Sequence, residues 1–588
     1  MRGSARVALG SLAGAAIAAA IAPATKRFFD PPAVGVGFVT VHAYPKAWDY
    51  AVVALLVLGA FAGGLLCSAG RPRPASVGAP PGPTAEGGRR YTWVGAVVVF
   101  VLMWFIHDHP YAHMDPFHEG EHLTAGWLMK SGERPYGDFY IFHGLAVDAG
   151  LDALVLGDPP SPLRPRRLQT FLDAATLALL VPIAAELCVS GIGIVIAVYA
   201  SLCAIAAFWL PVYPYFRMAP VLICALVLLR YARSGSVRML FTAMATATLG
   251  LLWSLDTGIY AVAGTTGALV VMRLFRLEAK PQPLLRVLVL AVIAIALPVV
   301  VLGAVRADIG RFITDSFVIM PKAIDATWAL PAPSKITAES LRYFLPLPFY
   351  GFLGAMAFAA WRRGERDLAA KLVIVTLFAL LMFRTASGRY GWSHTRFALP
   401  FLGIAVVAFV LEPMWRRRWW VAALVAIPLA FHFEIVPNTL AGAKLLAQWP
   451  QRQRHDGLVP YPLAPGRGIY TSEANAIDLA SLNAFIESLG PRDAPIFDFS
   501  NERALYYLLQ RKPPVRCMEI SMWSVPEMLA EGMAQLEANP PLCVIVSGFK
   551  ELEYDGVPNH VRVPELARWI DMHYPRRTQI GRFVVAHR

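Results

Sequence analysis

RVLVLAVIAIALPVVVLGA, residues 286–304, decides the class of fold, because no residue after Arg286 in this stretch carries a charge. A helix of this length matches the hydrocarbon core of a bilayer, which is about 30 Å thick. The rest of the chain has the same character: of 588 residues, 56% are hydrophobic and only 16% are charged. A soluble protein of this size needs a far more charged surface. The sequence therefore predicts a polytopic α-helical membrane protein.

Further apolar stretches of similar length lie on both sides of this one. Each comes close to the roughly 17–25 residues that a transmembrane helix needs. Counting all of them, we expect about thirteen transmembrane helices, near residues 7–24, 48–69, 91–107, 169–187, 190–210, 215–231, 238–255, 258–274, 286–304, 346–361, 368–384, 397–412 and 419–435.

The positions of the basic residues predict the orientation of the chain. Arginines cluster in every second loop, as the excess of Lys and Arg in cytoplasmic loops requires. These loops lie near residues 71–90, 230–238, 273–286, 362–366 and 416–418. The alternation places residues 108–168, 305–345 and everything after about 436 on the outer face of the cell (inner) membrane. The N-terminus is either a signal peptide or a first transmembrane helix, and both choices give the same orientation.

The net charge of +13 raises the question of nucleic-acid binding. The arginines lie at the ends of apolar runs, as membrane anchors do, and no basic stripe with interleaved aromatic residues is present. We therefore expect membrane lipids, and no nucleic acid, as partners.

Four regions follow from composition. Residues 1–70 form an N-terminal pair of transmembrane helices, and the Pro/Gly-rich residues 71–90 form a disordered cytoplasmic linker. Residues 91–435 form the main transmembrane module. Residues 436–588 are no longer membrane-like and predict an extracytoplasmic α/β domain, with strands at PIFDFS, LCVIVSG and RFVVAH and a helix at NERALYYLLQRKPP. In that compartment Cys517 and Cys543 could form a disulfide, but their separation in sequence does not show whether they meet.

HEGEH, residues 118–122, fits the H-E-x-x-H pattern of zinc metalloproteases. In that pattern two histidines one helical turn apart bind zinc and the glutamate polarises a water molecule. Gly120 in the centre costs about 1 kcal/mol of helix propensity, and no third ligand is evident. A zinc membrane protease is therefore kept as the less favoured alternative.

The same five residues belong to a longer phrase after a membrane span, MDPFHEGEHLTAGWLMKSGERPYGDFYIFHG, which places an acid before an amphipathic segment. The phrase contains Asp115, Glu119 and Glu121, then LTAGWLMKSG, then a G-x-x-P-Y-x-D-like stretch that ends at Asp138. It resembles the first extracytoplasmic loop of GT-C glycosyltransferases, such as protein O-mannosyltransferases, bacterial aminoarabinose transferases and mycobacterial arabinofuranosyltransferases. The resemblance implies that residues 91–435 are a GT-C-like catalytic module that uses a polyprenyl-phosphate-linked sugar.

Sugar transfer to a hydroxyl requires a base, because a hydroxyl is a poor nucleophile at neutral pH. By position, Asp115 is the first candidate for this base and Glu119 the second. The alternative is that these acids cap a short helix; for Asp115, followed by Pro116, this role is plausible. Nearby polar residues would bind the sugar substrates: Asp138, Glu121, His118, His143 and Asp256.

The leaving group would be a lipid phosphate, which needs cations on the outer side. The stretch FRTASGRYGWSHTRFALP, residues 383–400, supplies Arg384, Arg389, His394 and Arg396 between two spans. These are the predicted donor-phosphate ligands. The alternative is that they anchor the loop to anionic lipid headgroups.

The sequence thus predicts a membrane glycosyltransferase that moves a sugar from a polyprenyl-phosphate donor to a glycan, lipid or protein acceptor on the outer face. No cofactor is required by the pattern, and a divalent metal stays an open possibility. A transporter or flippase for an envelope lipid is the alternative of another class. It would not explain the acid-rich loop or the polar C-terminal region, and we find no inverted repeat.

Overall fold

A computed structural model describes residues 2–25, 47–68, 87–111, 113–209, 214–324, 333, 337–387, 389–547 and 557–588. Most of the predicted linker, residues 71–86, lies outside this range, so its prediction as a linker is not addressed by the structure.

Helices make up most of the described chain. The first half contains α1 (Arg2–Thr25), α2 (Ala47–Ser68), α3 (Gly87–His107), α4 (His118–Lys130), α5 (Leu151–Val155), α6 (Leu163–Ala178), α7 (Leu180–Leu187), α8 (Gly191–Ala204), α9 (Ala219–Ser234), α10 (Val237–Trp253), α11 (Leu255–Leu274) and α12 (Leu284–Ala304). The middle contains α13 (Ile309–Thr314), α14 (Met320–Ala323), α15 (Ala338–Phe344), α16 (Pro346–Arg362), α17 (Arg366–Phe383), α18 (Trp392–Phe397), α19 (Leu402–Val406), α20 (Glu412–Trp415), α21 (Trp419–His432), α22 (Ile435–Ala447) and α23 (Trp449–Arg452).

Each of the thirteen predicted apolar stretches overlaps a helix, but not all of these helices are long enough to cross a membrane. Within the described ranges, six helical segments are both long and apolar enough: Ala47–Ser68, Leu163–Leu187, Tyr215–Ser234, Leu255–Leu274, Leu284–Ala304 and Ala338–Arg362. The pair α21 and α22, bent by 57°, makes a seventh if it counts as one span. The predicted number of thirteen is therefore not confirmed, since helices such as α8 end after 14 residues.

The N-terminal helices α1 and α2 pack with their backbones in contact. A Cβ atom on Gly14 would lie 1.9 Å from the carbonyl oxygen of Gly59, and the same holds for Gly63 against Gly10 at 2.0 Å. Small residues four positions apart allow this close approach. Between helices in lipid, van der Waals packing of this kind takes the place of the hydrophobic effect as the main attraction. On its other side, α2 packs against α16.

The C-terminal region contains α24 (Glu473–Leu489), α25 (Ala504–Leu509), α26 (Pro526–Ala538), α27 (Asn559–Arg562) and α28 (Pro564–His573). The strands are β1 (Val459–Pro460), β2 (Tyr470–Thr471), β3 (Phe497–Asp498), β4 (Cys543–Ser547), β5 (Arg576–Ile580) and β6 (Phe583–His587). Four of them form a sheet in the order β3-β4-β6-β5, in which β3 and β4 are parallel and the other pairs antiparallel. The predicted strands at PIFDFS, LCVIVSG and RFVVAH and the helix at NERALYYLLQRKPP are all present. Cys517 and Cys543 are buried and not bonded to each other.

This region packs directly on the first loop, residues 108–168. The amide of Ala504 donates to the carbonyl of Pro116 at 3.0 Å, and the Thr124 hydroxyl donates to the carbonyl of Arg503 at 2.8 Å. Gly120 explains how helix α4 and helix α25 can touch, because a Cβ at this position would lie 2.2 Å from the amide nitrogen of Ala504. The glycine that weakens the helix is thus what lets the two segments meet.

Gly120→Ala should therefore separate α4 from α25. The added methyl group clashes with backbone, and overpacking of this kind costs about 1–3 kcal/mol. We expect a lower apparent Tm of the detergent-solubilised protein and faster hydrogen exchange in residues 118–130 and 504–509. The matched control is Gly303→Ala in helix α12, where a Cβ meets nothing within 4 Å. An unchanged Tm and unchanged exchange for Gly120→Ala would contradict the contact.

Candidate active-site cavity

A cavity of about 270 Å³ lies between the first loop and the ends of the membrane helices. Helix α4 and the segments before and after it contribute carboxylates and histidines to its lining. The beginning of α6 and the segments around Pro214 and Arg389 also line it, and the C-terminal region contributes Arg503 and Glu519. A polar cavity of this kind, where loops meet a helical scaffold, is the usual location of a substrate site.

Asp115 lies at the start of α4 and forms a pair with His118. Its Oδ1 accepts hydrogen bonds from the backbone N–H groups of Phe117 and His118 at 2.9 and 3.1 Å, whereas the N-cap residue of α4 is Phe117. Its Oδ2 lies 2.8 Å from Nδ1 of His118, and about half of the side chain stays exposed to the cavity. Burial raises the pKa of Asp115, but the hydrogen bonds from His118 and from the Phe117 amide outweigh it and lower the pKa below its usual value. The carboxylate is therefore ionised at neutral pH.

Glu119, the second predicted base, is held by an arginine. Arg166 at the start of α6 donates to Oε1 at 2.5 Å and to Oε2 at 2.8 Å, in the bidentate geometry typical of Arg–carboxylate pairs. The same guanidinium donates to the carbonyl of Pro110 at 2.6 Å. Because both carboxylate oxygens accept hydrogen bonds, the geometry favours Glu119 as a residue that orients Arg166 rather than as a proton acceptor.

Glu121 connects the first loop with the C-terminal region. Its Oε2 accepts a hydrogen bond from Arg503 at 2.9 Å, and Arg503 also lies 2.7 Å from Glu519. The guanidinium stacks over the ring of Phe117 at 4.1 Å from its centre. Burial raises the pKa of Glu121, but the charges of Arg503 and His143 lower it far below its usual value.

His143 lies between two carboxylates. Its Nδ1 is 3.1 Å from Oδ1 of Asp148 and 3.3 Å from Oε1 of Glu121. Burial alone lowers the pKa of His143, yet the charges of Glu121 and Asp148 raise it to about 9. Glu121, His143 and Asp148 form the one group in the described residues whose ligand atoms could hold a metal ion, all within 4.8 Å of one another.

The two histidines of HEGEH lie on one helix but do not share a site. His118 pairs with Asp115, whereas Nδ1 of His122 lies 2.5 Å from Oδ2 of Asp152. Burial lowers the pKa of His122, and the Asp152 carboxylate then raises it to about 9. Neither histidine belongs to a cluster of three potential metal ligands in the part of the chain that the structure describes. The zinc-protease hypothesis therefore finds no support in the geometry.

Of the four predicted phosphate-binding residues, Arg389 lines the cavity. Arg384 instead lies over the ring of Tyr50 and donates to the carbonyl of Ser387 at 3.3 Å. Arg396 is 2% exposed and pairs with Glu434 at 2.6 Å. His394 does not line the cavity either; burial lowers its pKa well below the usual value, as do the charges of Arg389 and Arg217.

The predicted substrate-binding residues divide in the same way. His118, Glu121 and His143 line the cavity, and Asp138 and Asp256 do not. Asp138 pairs with Arg134 at 3.0 Å in a turn outside it. Asp256 accepts the amide of Thr257 at 2.8 Å, at the start of α11. It also pairs with Arg217 at 2.9 Å, and Arg217 itself lines the cavity.

Several lining residues escaped the sequence analysis. Arg166 carries a signal that could have been used, since an arginine in a loop predicted to lie outside is unusual under the orientation rule. Asp148, in an otherwise apolar segment, also carries a signal, because such acids are costly to bury. Arg503 and Glu519 gave no local signal, because they lie more than 380 residues after Asp115 and reach the cavity only through the packing of the C-terminal region.

Comparisons with known proteins find structural similarity without sequence similarity. No protein family and no curated protein matches the chain. The crystal structure of ArnT from Cupriavidus metallidurans bound to undecaprenyl phosphate matches with 14% identity and a TM-score of 0.43, over 86% of this chain and 98% of that one. The structure of arabinosyltransferase EmbB from Mycobacterium smegmatis matches with 16% identity and a TM-score of 0.31, over 70% of this chain and 46% of that one.

Arg503→Lys should loosen the contact between the first loop and the C-terminal region. A lysine keeps the charge but lacks the planar guanidinium group that binds Glu121 and Glu519 together. A lost hydrogen bond between charged groups costs about 1.5–3 kcal/mol. We expect a lower apparent Tm and faster hydrogen exchange in α4. Arg568→Lys is the control, because Arg568 is exposed and lies 3.8 Å from Glu565. Equal effects of the two substitutions would show that Arg503 does not hold this junction.

Proposed function

We propose that the protein is a membrane glycosyltransferase that moves a sugar from a polyprenyl-phosphate donor to a hydroxyl of a glycan, lipid or protein acceptor. The observation that carries this proposal is the composition of the cavity. The carboxylate of Asp115 and the guanidinium group of Arg389 line one cavity, and Arg166 and Arg217 line it as well. A base and a group of cations that share one cavity are what sugar transfer from a phosphate requires.

Asp115 acts as the base in this proposal. Its ionised carboxylate takes the proton of the acceptor hydroxyl as the oxygen forms its bond to the anomeric carbon of the sugar. The bond between that carbon and the phosphate oxygen breaks, and the lipid phosphate leaves. The transition state carries positive charge on the sugar ring, so a nearby carboxylate also stabilises it. His118, with Nδ1 at 2.8 Å from Oδ2, holds the carboxylate in place.

The arginines bind the departing phosphate. Arginine suits this task because its charge does not depend on pH and its planar group matches two phosphate oxygens. Arg166 and Arg217 are each oriented by a carboxylate, Glu119 and Asp256, which fixes the direction of the guanidinium groups. Arg389 lies in the segment between α17 and α18 and lines the cavity, where its guanidinium group can contact the phosphate.

The cavity on this proposal opens to the outer face of the cell membrane. The distribution of basic loops supports this orientation. The C-terminal region contributes Arg503 and Glu519 to the lining of the cavity.

Asp115→Asn should abolish sugar transfer. Loss of a general base typically lowers the rate by about 10²–10⁴-fold. The side-chain oxygen of the asparagine can still accept hydrogen bonds from the backbone N–H groups of Phe117 and His118. We therefore expect little change in apparent Tm. Transfer is measured in membrane vesicles with a polyprenyl-phosphate sugar, and Asp367→Asn, an exposed aspartate 2.9 Å from Lys371, is the control. Full activity of Asp115→Asn would refute the assignment of the base.

Arg389→Gln should weaken binding of the donor phosphate. Removing one hydrogen bond to a charged group costs about 1.5–3 kcal/mol, which is roughly a 10- to 100-fold rise in Kd. Binding of undecaprenyl phosphate to the detergent-solubilised protein is the measurement. Arg363→Gln is the control, since Arg363 is exposed and pairs with Glu365. If both variants bind undecaprenyl phosphate like the unchanged protein, Arg389 does not contact the phosphate.

A further inference from the structure

The end of helix α3 places a buried histidine in the lining of the cavity, with one ring nitrogen unpaired. His107 is 1% exposed and lines the cavity. Its Nε2 lies 2.8 Å from the carbonyl oxygen of Ala207, which can only accept, so Nε2 carries the hydrogen and donates it. Nδ1 has no hydrogen-bond partner among the residues that the structure describes. A buried polar atom without a partner is costly, and a ligand in the cavity that donates to it removes the cost.

The charge state of His107 makes Nδ1 an acceptor. A protonated imidazole at this depth would need a carboxylate partner, and in the described part of the chain neither ring nitrogen bonds to one. The ring is therefore neutral, and the hydrogen on Nε2 fixes the tautomer in which Nδ1 carries a lone pair. A group that donates a hydrogen bond fits this nitrogen.

His109 repeats this arrangement two residues later. Its Nδ1 lies 2.5 Å from the carbonyl oxygen of His107 and donates to it, and the residue lines the cavity. Burial lowers the pKa of His109, and the charges of Arg166 and Arg452 lower it as well, which outweighs the hydrogen bond to the His107 carbonyl. The imidazole is neutral at pH 7, and its Nε2 is a second acceptor.

Two arginines hold the segment that carries both histidines. Arg166 donates to the carbonyl of Pro110 at 2.6 Å. Arg452, from the C-terminal region, donates at 2.8, 2.9 and 3.0 Å to three carbonyl oxygens at the end of α3, those of Phe105, Ile106 and Asp108. Because the backbone is fixed on both sides, the two imidazoles have a fixed position in the cavity.

A carboxyl group of helix α6 is held close to His107. Helix α3 packs against α6, and Asp173 of α6 also lines the cavity. The ring of Tyr215 stacks on the ring of His107, with 5.5 Å between their centres, and the amide of the next residue, Phe216, donates to Oδ1 of Asp173 at 2.7 Å. Adjacent residues thus hold two buried polar groups of this part of the lining.

We propose that His107 and His109 bind hydroxyl groups of the sugar that the lipid phosphate carries, and so determine which sugars the protein accepts. The inference rests on the proposed function, in which Arg166 binds the phosphate. The same guanidinium group contacts Pro110, the residue after His109, so a sugar attached to that phosphate lies within reach of the histidines. A hydroxyl group donates to a neutral imidazole, whereas the two nearby arginines disfavour an ammonium group.

The test compares lipids that differ only in the sugar. Binding to the full-length protein in detergent is measured for undecaprenyl phosphate alone and for undecaprenyl phosphate that carries glucose or arabinose. Hydrogen bonds that a site makes to a substrate hydroxyl discriminate against a ligand without it. We expect the unchanged protein to bind at least one of the two sugar-bearing lipids at least about tenfold more tightly than the bare lipid.

Two variants each remove one acceptor and keep the hydrogen bond to the backbone. In His107→Gln the amide nitrogen takes the place of Nε2 and can still donate to Ala207, but nothing replaces Nδ1. In His109→Asn the amide nitrogen takes the place of Nδ1, but nothing replaces Nε2. Each should lower the preference for the sugar-bearing lipid by about fivefold or more, with an unchanged Kd for the bare lipid. His560→Gln, at an exposed histidine of α27, is the control.

The outcomes separate this inference from the proposed function. No preference for either sugar in the unchanged protein, or a preference that both histidine variants keep, would overturn the inference; either variant suffices if the other does not fold. Equal weakening of both kinds of lipid would overturn it too, because it would show a role in holding the cavity together. If Asp115→Asn loses sugar transfer while the histidine variants keep their preference, the proposed function stands and this inference fails.

Discussion

The candidate site depends on one buried cation. Arg503 comes from the C-terminal region and pairs with Glu121 of the first loop and with Glu519 beside it, under the ring of Phe117. Removing one partner from such a cluster would leave a buried charge uncompensated, which typically costs 3–5 kcal/mol. This interaction, together with the backbone contact that Gly120 permits, brings the loop and the C-terminal region together around a single cavity. Without it, the cavity would lack one of its sides.

The cavity brings two kinds of side chain together. Along α4 and the segment after it, histidines pair with carboxylates: His118 with Asp115, His122 with Asp152, and His143 with Asp148 and Glu121. Arginines line the same cavity, and two of these are themselves oriented by carboxylates. Groups that can take a proton and groups that can bind an anion therefore share one cavity. This combination, rather than any single residue, is why sugar transfer from a lipid phosphate is the proposed reaction.

The sequence singled out several of the residues that line the cavity, but it could not assign partners among them. The first loop was identified by its acids and its amphipathic segment, and Asp115, His118, Glu119, Glu121 and His143 all line the cavity. The basic stretch 383–400 was also identified, yet Arg389 alone of its four predicted residues is among the lining residues in the described chain. A spacing of seven residues cannot tell which arginine faces a cavity and which pairs with Glu434, because that choice depends on where α18 lies. Glu119 was predicted as the second candidate base, and only the structure shows that it pairs with Arg166.

By itself the sequence determined the chemical class of each segment: apolar helices for a bilayer, an acid- and histidine-rich loop, and a polar C-terminal region with its strands. These features follow from local composition and periodicity, which the chain carries wherever it folds. Only the tertiary structure decided which charges meet. Glu121 and Arg503 are 382 positions apart in sequence, and their pairing arises from the packing of two distant segments. Electrostatic interactions depend on distances of a few ångströms in a medium of low dielectric constant, and no local pattern encodes such distances.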